Sequence, residues 1–396
     1  MMRVTNNLLF KSGSSALQNQ QQEIMKVQEQ SVSGNRTNRP SDDPSGVYRH
    51  MIFSSDLSGV QSLKKTTQSA AERLTLADSH MSQIHDTLLD AQDLVLQLGE
   101  SMMGGNPSTL TAAAEQPKAW YQDMINTANS ELDEIPLFGG GKGQAPFDTS
   151  NLTTTAVRVK SADGKSQTEA GSGFVGSVTS GQIPADMPLS VKISYLAASD
   201  QYQANINGVD QAPAALDENG QLDLGQGVKF TVTDTPKTGD AFYFEVVPQY
   251  QGGSEDRPIR VRQGEVLPGN VTGSELLEGE GNYGRGVNVL GAMAALRGAL
   301  LRADTTEVAS QLNRVQEARA QISDLQGVTG IRNMQVQAVT STLEADETSL
   351  TQVRADNVEV DLFKVLSDLE QASQAMQVMT ATQRQVMNTS LIDFIQ

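Results

Sequence analysis

Between Leu63 and Met102 the chain repeats one kind of position at alternating steps of four and three residues. The positions are Leu63, Thr67, Ala70, Leu74, Ala77, Met81, Ile84, Leu88, Ala91, Val95, Leu98 and Met102. Eleven of the twelve are apolar, and Thr67 is the exception. A 3.5-residue period held for more than five heptads is a coiled-coil seam rather than one side of a short globular helix. The helix start is marked by Arg39-Pro40-Ser41-Asp42-Asp43-Pro44. Asp43 suits a cap because its carboxylate accepts from backbone N–H groups, and Pro44 suits the first helical position, where its missing donor would have been unpaired. From Pro44 to Met102 such a helix runs about 85 Å at the usual rise. It needs other long helices beside it.

Those partners come from the other half of the chain. Helical periodicity resumes with Val289, Met293, Leu296 and Leu300, and continues through Val308, Leu312, Val315, Ile322, Leu325, Val336, Val339, Leu343, Leu350 and Val353. A second clean seam follows at Val358, Leu362, Val365, Leu369, Ala372, Met376, Met379, Gln383 and Val386. Residues 1 to about 35 carry a thinner apolar set, Leu17, Ile24, Val27 and Val32, in a Gln-rich background that ends at Ser33-Gly34-Asn35. A helix that weak depends on a partner. Another helical pattern (Leu110, Ala113, Trp120, Met124, Ala128, Leu132, Ile135) is long enough to fold back on the first long helix, with Pro117 kinking it or delaying its start.

The middle of the chain changes period. Twenty-seven of the 34 glycines lie between Gly99 and Gly291. Strand-like alternation marks Ala156–Lys160, Ser190–Tyr195, Val228–Val232 and Phe242–Val247, with turn pairs at Asp163-Gly164, Asn207-Gly208 and Asn219-Gly220. Ile206-Asn207-Gly208-Val209 predicts a type I′ hairpin. The expected fold is mainly α with an inserted β domain: long antiparallel helices pair the N- and C-terminal segments into a rod, with the all-β domain at its tip. The expected division is residues 1–40 with 357–396 as a terminal helical domain, 41–139 with 285–356 as a long-helix rod, and 140–284 as the β-rich insertion.

Composition narrows the function. The 396 residues contain no cysteine, which removes disulfides, thiolate metal sites and thiol nucleophiles. A formal charge of -18 argues against a nucleic-acid ligand, although the first 50 residues run against that trend with six Lys/Arg and four Asp/Glu. No apolar run approaches a membrane span, and Met1–Phe10 shows no signal-peptide core or cleavage motif. By that logic the protein is cytoplasmic, or exported by a route that leaves its N-terminus intact.

Candidate chemistry is sparse. His80 and His85 are five residues apart and point to different helix faces, and His50 stands alone. Gly139-Gly140-Gly141-Lys142-Gly143 lacks phosphate-loop spacing and the Ser/Thr after Lys, so it is read as a loop. Asp217-Glu218-Asn219-Gly220-Gln221 has its glycine misplaced for a calcium loop and is read as a hairpin turn. Asp42 and Asp43 are better explained by capping than by acid–base work. No catalytic, metal or cofactor site is assigned. The two terminal segments together make at most a two-helix hairpin with little core of its own. A chain with such ends is read as an assembly subunit.

The residues also resemble a known family, the flagellin superfamily, and within it the hook-associated proteins of the hook–filament junction. The resemblance rests on Met2-Arg3-Val4-Thr5, on Ser33-Gly34-Asn35-Arg36 followed by Arg39–Pro44, on Leu137-Phe138-Gly139-Gly140 with Ala145-Pro146-Phe147, on Gly239-Asp240-Ala241-Phe242, and on Ser390-Leu391-Ile392-Asp393-Phe394-Ile395. Pro40 and Pro44 favour the junction type over flagellin, where alanines usually follow the Asp pair. It covers about 1–150 and 225–396, with Pro117 a departure from the continuous helix the family implies.

The resemblance implies a non-enzymatic, extracellular bacterial protein without cofactor, exported unprocessed through the flagellar type III apparatus. It implies a ring of subunits between the first hook-associated protein and flagellin, and an export chaperone at the C-terminal helix. The assembly face is expected at Leu8, Leu17, Ile24, Val27, Val358, Leu362, Val365, Leu369, Ala372, Met376, Met379, Val386, Leu391 and Phe394. Two alternatives stay open, a filament-forming flagellin and an enzyme or carbohydrate-binding module carried on the β domain.

Overall fold

The computed structural model describes residues 2–39, 43–101, 107–160, 167–169, 173–179, 186–255, 257–262, 264–281 and 283–395. Among the described residues there are seven α-helices: α1 (Met2–Ser33), α2 (Pro44–Ser101), α3 (Pro107–Ala113), α4 (Glu115–Ala128), α5 (Val289–Leu301), α6 (Thr305–Val358) and α7 (Leu362–Ile395). Two compact units form, one from Met1–Lys65 with Thr340–Gln396 and one from Thr66–Val339.

The larger unit, Thr66–Val339, holds the main core. The seam of α2 goes where its period sends it: Ala70, Leu74, Ala77, Met81, Ile84, Leu88, Ala91 and Val95 are buried, and Thr67 is fully buried with them. Val308, Val315, Ala318, Ile322 and Leu325 of α6 join the α2 seam, and so do Val289, Leu290, Met293 and Leu296 of α5. Each such apolar side chain removed from water stabilises the unit by about 1.5–3 kcal/mol before entropy is counted. Helix α5 is buried on nearly every side, Arg297 included, which fits its run of Ala, Leu and Gly. The break between α5 and α6 falls at Ala303 (φ 51°), and Asp304 then caps α6 by accepting from the Glu307 N–H at 3.0 Å.

The expected second helix is shorter than its pattern. Leu110 and Ala113 of that pattern lie in α3, and the helix breaks at Ala114 so that Pro117 falls in the first turn of α4, where a missing N–H costs little. Pro117 thus interrupts the helix rather than delaying its start. Helix α4 stops at Ala128. Leu132 and Ile135, which the helical count had included, sit instead in a small hairpin of β1 (Glu131–Leu132) and β2 (Ile135–Pro136), turned through Asp133 and Glu134 at φ 54° and 60°. Arg73 donates to the Pro136 carbonyl at 3.0 Å and holds that hairpin against α2.

The β region contains β3 (Phe147–Thr154), β4 (Arg158–Lys160), β5 (Gln167–Glu169), β6 (Phe174–Val178), β7 (Leu189–Leu196), β8 (Gln201–Ile206), β9 (Val209–Asp210), β10 (Gln221–Asp223), β11 (Val228–Val232), β12 (Ala241–Tyr250), β13 (Pro258–Arg262) and β14 (Glu265–Pro268). One sheet runs β5-β4-β12-β7-β8-β9 with β3 also beside β12, and a smaller one runs β10-β11-β6. All pairings are antiparallel. The hairpin at Asn207-Gly208 forms as its sequence requires, with φ of 49° and 83°. Asp163-Gly164 lies outside the described residues. The region is not wholly β, since Ser274–Glu278 is a turn of π-helix.

Strand β12 explains how sheet and helices share a unit. Phe242, Phe244 and Val246 join the core with Phe230 of the smaller sheet, while Val247 joins the core of the helices. Between them Glu245 is buried and paired with Arg158 and, at 3.5 Å, with Arg314 of α6. Gly298 lets α5 approach β7 closely, because a Cβ there would lie 2.3 Å from the Ser190 side chain.

Candidate functional site

The smaller unit is where the sequence places function. Its 65 N-terminal and 57 C-terminal residues bury five apolar side chains among those described: Val27, Leu57, Leu343, Val365 and Ala372. None is below 2% exposed, whereas the larger unit buries dozens. Helices α1 and α7 run antiparallel, with Gln20 Nε2 donating to the Ala372 carbonyl at 3.1 Å. Ile24 and Gln28 of α1 border a groove of about 460 Å³ with Leu369, Ser373, Met376, Gln377 and Thr380 of α7. The apolar residues in this groove are half-buried rather than packed away.

Both chain crossings meet at one joint. Gly34, at φ 70°, closes α1, and its carbonyl accepts from the Val360 N–H at 3.0 Å. Asn35 bridges Glu359 in the same place. Asp361 starts α7 by accepting from the N–H groups of Phe363 (3.0 Å) and Lys364 (3.3 Å). Asp43 starts α2 by accepting from the Gly46 N–H at 2.9 Å and the Ser45 hydroxyl at 2.8 Å, with Arg36 3.6 Å away. The Gly46 bond first, and the Ser45 bond next, hold the Asp43 carboxyl below its ordinary value. Arg39 pairs with Glu29 at 3.4 Å. Pro40, Ser41 and Asp42 lie outside the described residues.

The expected assembly face divides when placed on this unit. Val27, Val365 and Ala372 are buried in the hairpin, and Leu17, Ile24, Leu369, Met376 and Met379 are half-buried along it. Leu8 and Leu362 are turned to solvent, at 69% and 52%. The side chains of Val358, Val386, Leu391 and Phe394 lie outside the described set. The residues that the heptad count passed over are the exposed ones beside it: Phe363 at 89%, Leu366, and Tyr48, Met51 and Ile52 on the outer face of α2. Their signal in the sequence is an apolar residue one step off the seam.

Among the described residues no group of three or more His, Asp or Glu side chains converges as metal ligands would. The two most deeply buried carboxylates are matched by cations, Glu245 by Arg158 and Arg314 and Glu307 by Arg302. The loop at Gly139–Gly143 is pinned by the Gly253 N–H donating to the Gly139 carbonyl at 2.9 Å. At Asp217 one carboxylate oxygen accepts from the N–H groups of Asn219 and Gln221, as in a turn that needs no cation. No described helix is long and apolar enough to cross a membrane.

Residues 4–137 match the bacterial flagellin N-terminal helical region, a span containing most of α1, the N-terminal side of the joint and the whole α2 seam. The N-terminal third of the chain is similar to that family. Over 149 residues the chain is 26% identical to flagellar hook-associated protein 3 of Salmonella typhimurium, a match covering 37% of this chain. The match spans 46% of that relative's length. The fold is also that of a Vibrio parahaemolyticus protein provisionally described as flagellar hook-associated, with a TM-score of 0.50 at 14% identity. That likeness covers 80% of this chain and 100% of the Vibrio one.

Proposed function

We propose that this protein is a structural junction subunit of the bacterial flagellum, joining the hook to the flagellin filament through its terminal helices. The observation that carries the reading is that the described residues of the smaller unit bury only five apolar side chains. A unit of that size with so little buried apolar surface gains its stability from neighbours, because the missing burial has to come from other chains. The flagellin N-terminal region supplies the kind of neighbour, and the likeness to a hook-associated protein favours the junction over the filament body. The larger unit, with its own dense core, keeps the chain folded while the terminal hairpin waits for partners.

On this reading the protein lies outside the cell in the flagellum, exported without a cleaved signal peptide. Its partners are copies of itself in a ring, hook-associated protein 1 on one side, flagellin on the other, and an export chaperone at α7 before secretion. It has no catalytic role. Deleting the gene tests this directly. The expected phenotype is hooks without filaments and flagellin monomer released into the medium, restored by the intact gene. Normal filaments in the deletion strain would overturn the reading.

A further inference from the structure

The sequence contains two Asn-Gly pairs, Asn207-Gly208 and Asn219-Gly220, and the fold treats their side-chain amides in opposite ways. At Asn207 the amide is a strut. Its Oδ1 accepts from the Ser190 N–H at 2.9 Å, and its Nδ2 donates to the carbonyls of Asp186 at 3.0 Å and Pro188 at 3.2 Å and to the Asp186 carboxylate at 3.3 Å. Asp186 is in turn held by Arg297 at 2.9 Å. Gly208 donates its N–H to Asn205 Oδ1 at 3.0 Å, and a Cβ on it would lie 2.7 Å from the Leu301 carbonyl oxygen. The Asn207 amide is therefore bonded at both ends, in a turn pressed against the end of α5.

Asn219 stands in water. Among the described residues its side chain makes no hydrogen bond, and what is engaged is its backbone N–H, which donates to Asp217 Oδ1 at 2.9 Å. Gly220 follows at φ 71° and brings no Cβ to shield its backbone nitrogen. The Gly220 N–H donates to the Asp217 carbonyl at 3.0 Å, across an exposed turn of the kind that opens locally at little cost. A carboxamide without a partner thus precedes a nitrogen without a side chain beside it.

We infer that Asn219 is a site of spontaneous covalent modification, converted to aspartate and isoaspartate, while Asn207 is kept intact by the fold. The Gly220 nitrogen gives its proton to water and attacks Asn219 Cγ. The N–Cγ bond forms, the Cγ–Nδ2 bond breaks, and Nδ2 leaves as ammonia. Water then opens the five-membered imide. Cleavage of the bond to Cγ leaves aspartate, and cleavage of the bond to the main-chain carbonyl carbon leaves isoaspartate. The net change is amide plus water to carboxylic acid plus ammonia, with no oxidant or reductant. Either product sets a third carboxylate beside Asp217 and Glu218. In isoaspartate the main chain also gains a methylene just before Gly220, whose carbonyl accepts from the Val232 N–H at 2.9 Å. The disturbance therefore falls first on the β10–β11 pair.

Ageing of the purified full chain in mildly alkaline buffer, followed by peptide mapping with mass spectrometry and fragmentation that resolves isoaspartate, tests this. In the folded chain Asn219 is expected to convert roughly tenfold or more faster than Asn207, because Asn207 must first release its hydrogen bonds. In urea the two sites are expected to convert at similar rates, since the pairs are chemically alike and only the fold separates them. An Asn219 that keeps its amide in the folded chain would overturn the inference, and so would an Asn207 that converts there as fast as Asn219. The same preference persisting in urea would overturn the fold as its cause.

Discussion

Val360 donates its backbone N–H to the carbonyl oxygen of Gly34 at 3.0 Å, so the chain's first helix ends where its last helix begins. Gly34 reaches this geometry at φ 70° with open space around a would-be Cβ. Gly34→Ala therefore carries only the conformational cost, about 1 kcal/mol, and Gly34→Asn less. Amide hydrogen exchange is expected to speed up in α1 and in the first turns of α7 for the alanine variant, with the larger unit unchanged.

The two units should respond differently to core damage. Leu88 is fully buried in the α2 seam, and Leu88→Ala is expected to lower unfolding stability by about 2–5 kcal/mol. Leu369 is half-buried on the terminal hairpin, so Leu369→Asp, like Leu362→Asp, should leave the main thermal transition of the monomer in place and block incorporation into flagella. Calorimetry of the monomers and blotting of purified flagella check both halves.

Acid should loosen the smaller unit through two carboxylates. Bonds from Gly46 and Ser45 hold Asp43 below 3.8, and those from Gln61 and Lys64 hold Glu347 below 4.5. A group whose folded pKa is depressed binds its proton more weakly when folded. Its contribution is complete above the ordinary value and is lost as pH falls through the folded value. Lys64, raised chiefly by the Glu347 bond, has the opposite sign and loses its contribution only as pH rises past 10.5. Exchange protection at the start of α2 and at Lys64–Glu347 is therefore expected to be flat around neutrality and to fall below about pH 4. In Asp43→Asn with Glu347→Gln that acid dependence should flatten.

Gly140 stands at φ 61° with a would-be Cβ 2.1 Å from the Gly253 carbonyl oxygen. Because the obstacle is backbone, Gly140→Ala must move the Gly139–Gly143 turn away from Gly253. A loss of roughly 1–3 kcal/mol is expected by denaturant titration. Gly141→Ala, with open space and an ordinary φ, serves as the control and should be near neutral.

The helices were legible because their signals are local and repeated. The α2 seam is read from spacing alone, down to its one polar member, and Thr67 turned out as buried as its apolar neighbours. Hairpin chemistry was equally direct at Asn207-Gly208. Leu132 and Ile135 misled because two apolar residues three apart fit a helix and a tight hairpin equally well, and φ at Asp133 and Glu134 decided between them. The share of one core between β12 and the helices was not legible, because it depends on both faces of Phe242–Val247 being covered, and alternation cannot report two buried faces. For the candidate site, the pairing of terminal helices was readable, whereas the exposure of Phe363 was not, because heptad counting finds what a helix buries and not what it leaves in water.

The most direct test of the account is polymerisation of the purified full chain by salting out, with and without sheared filament seeds, viewed by electron microscopy. The account predicts that the protein alone stays monomeric, with α1 and α7 amides far less protected than the α2–α6 core, and forms no extended polymer. Long filaments grown from this protein alone would contradict it and identify a filament subunit instead.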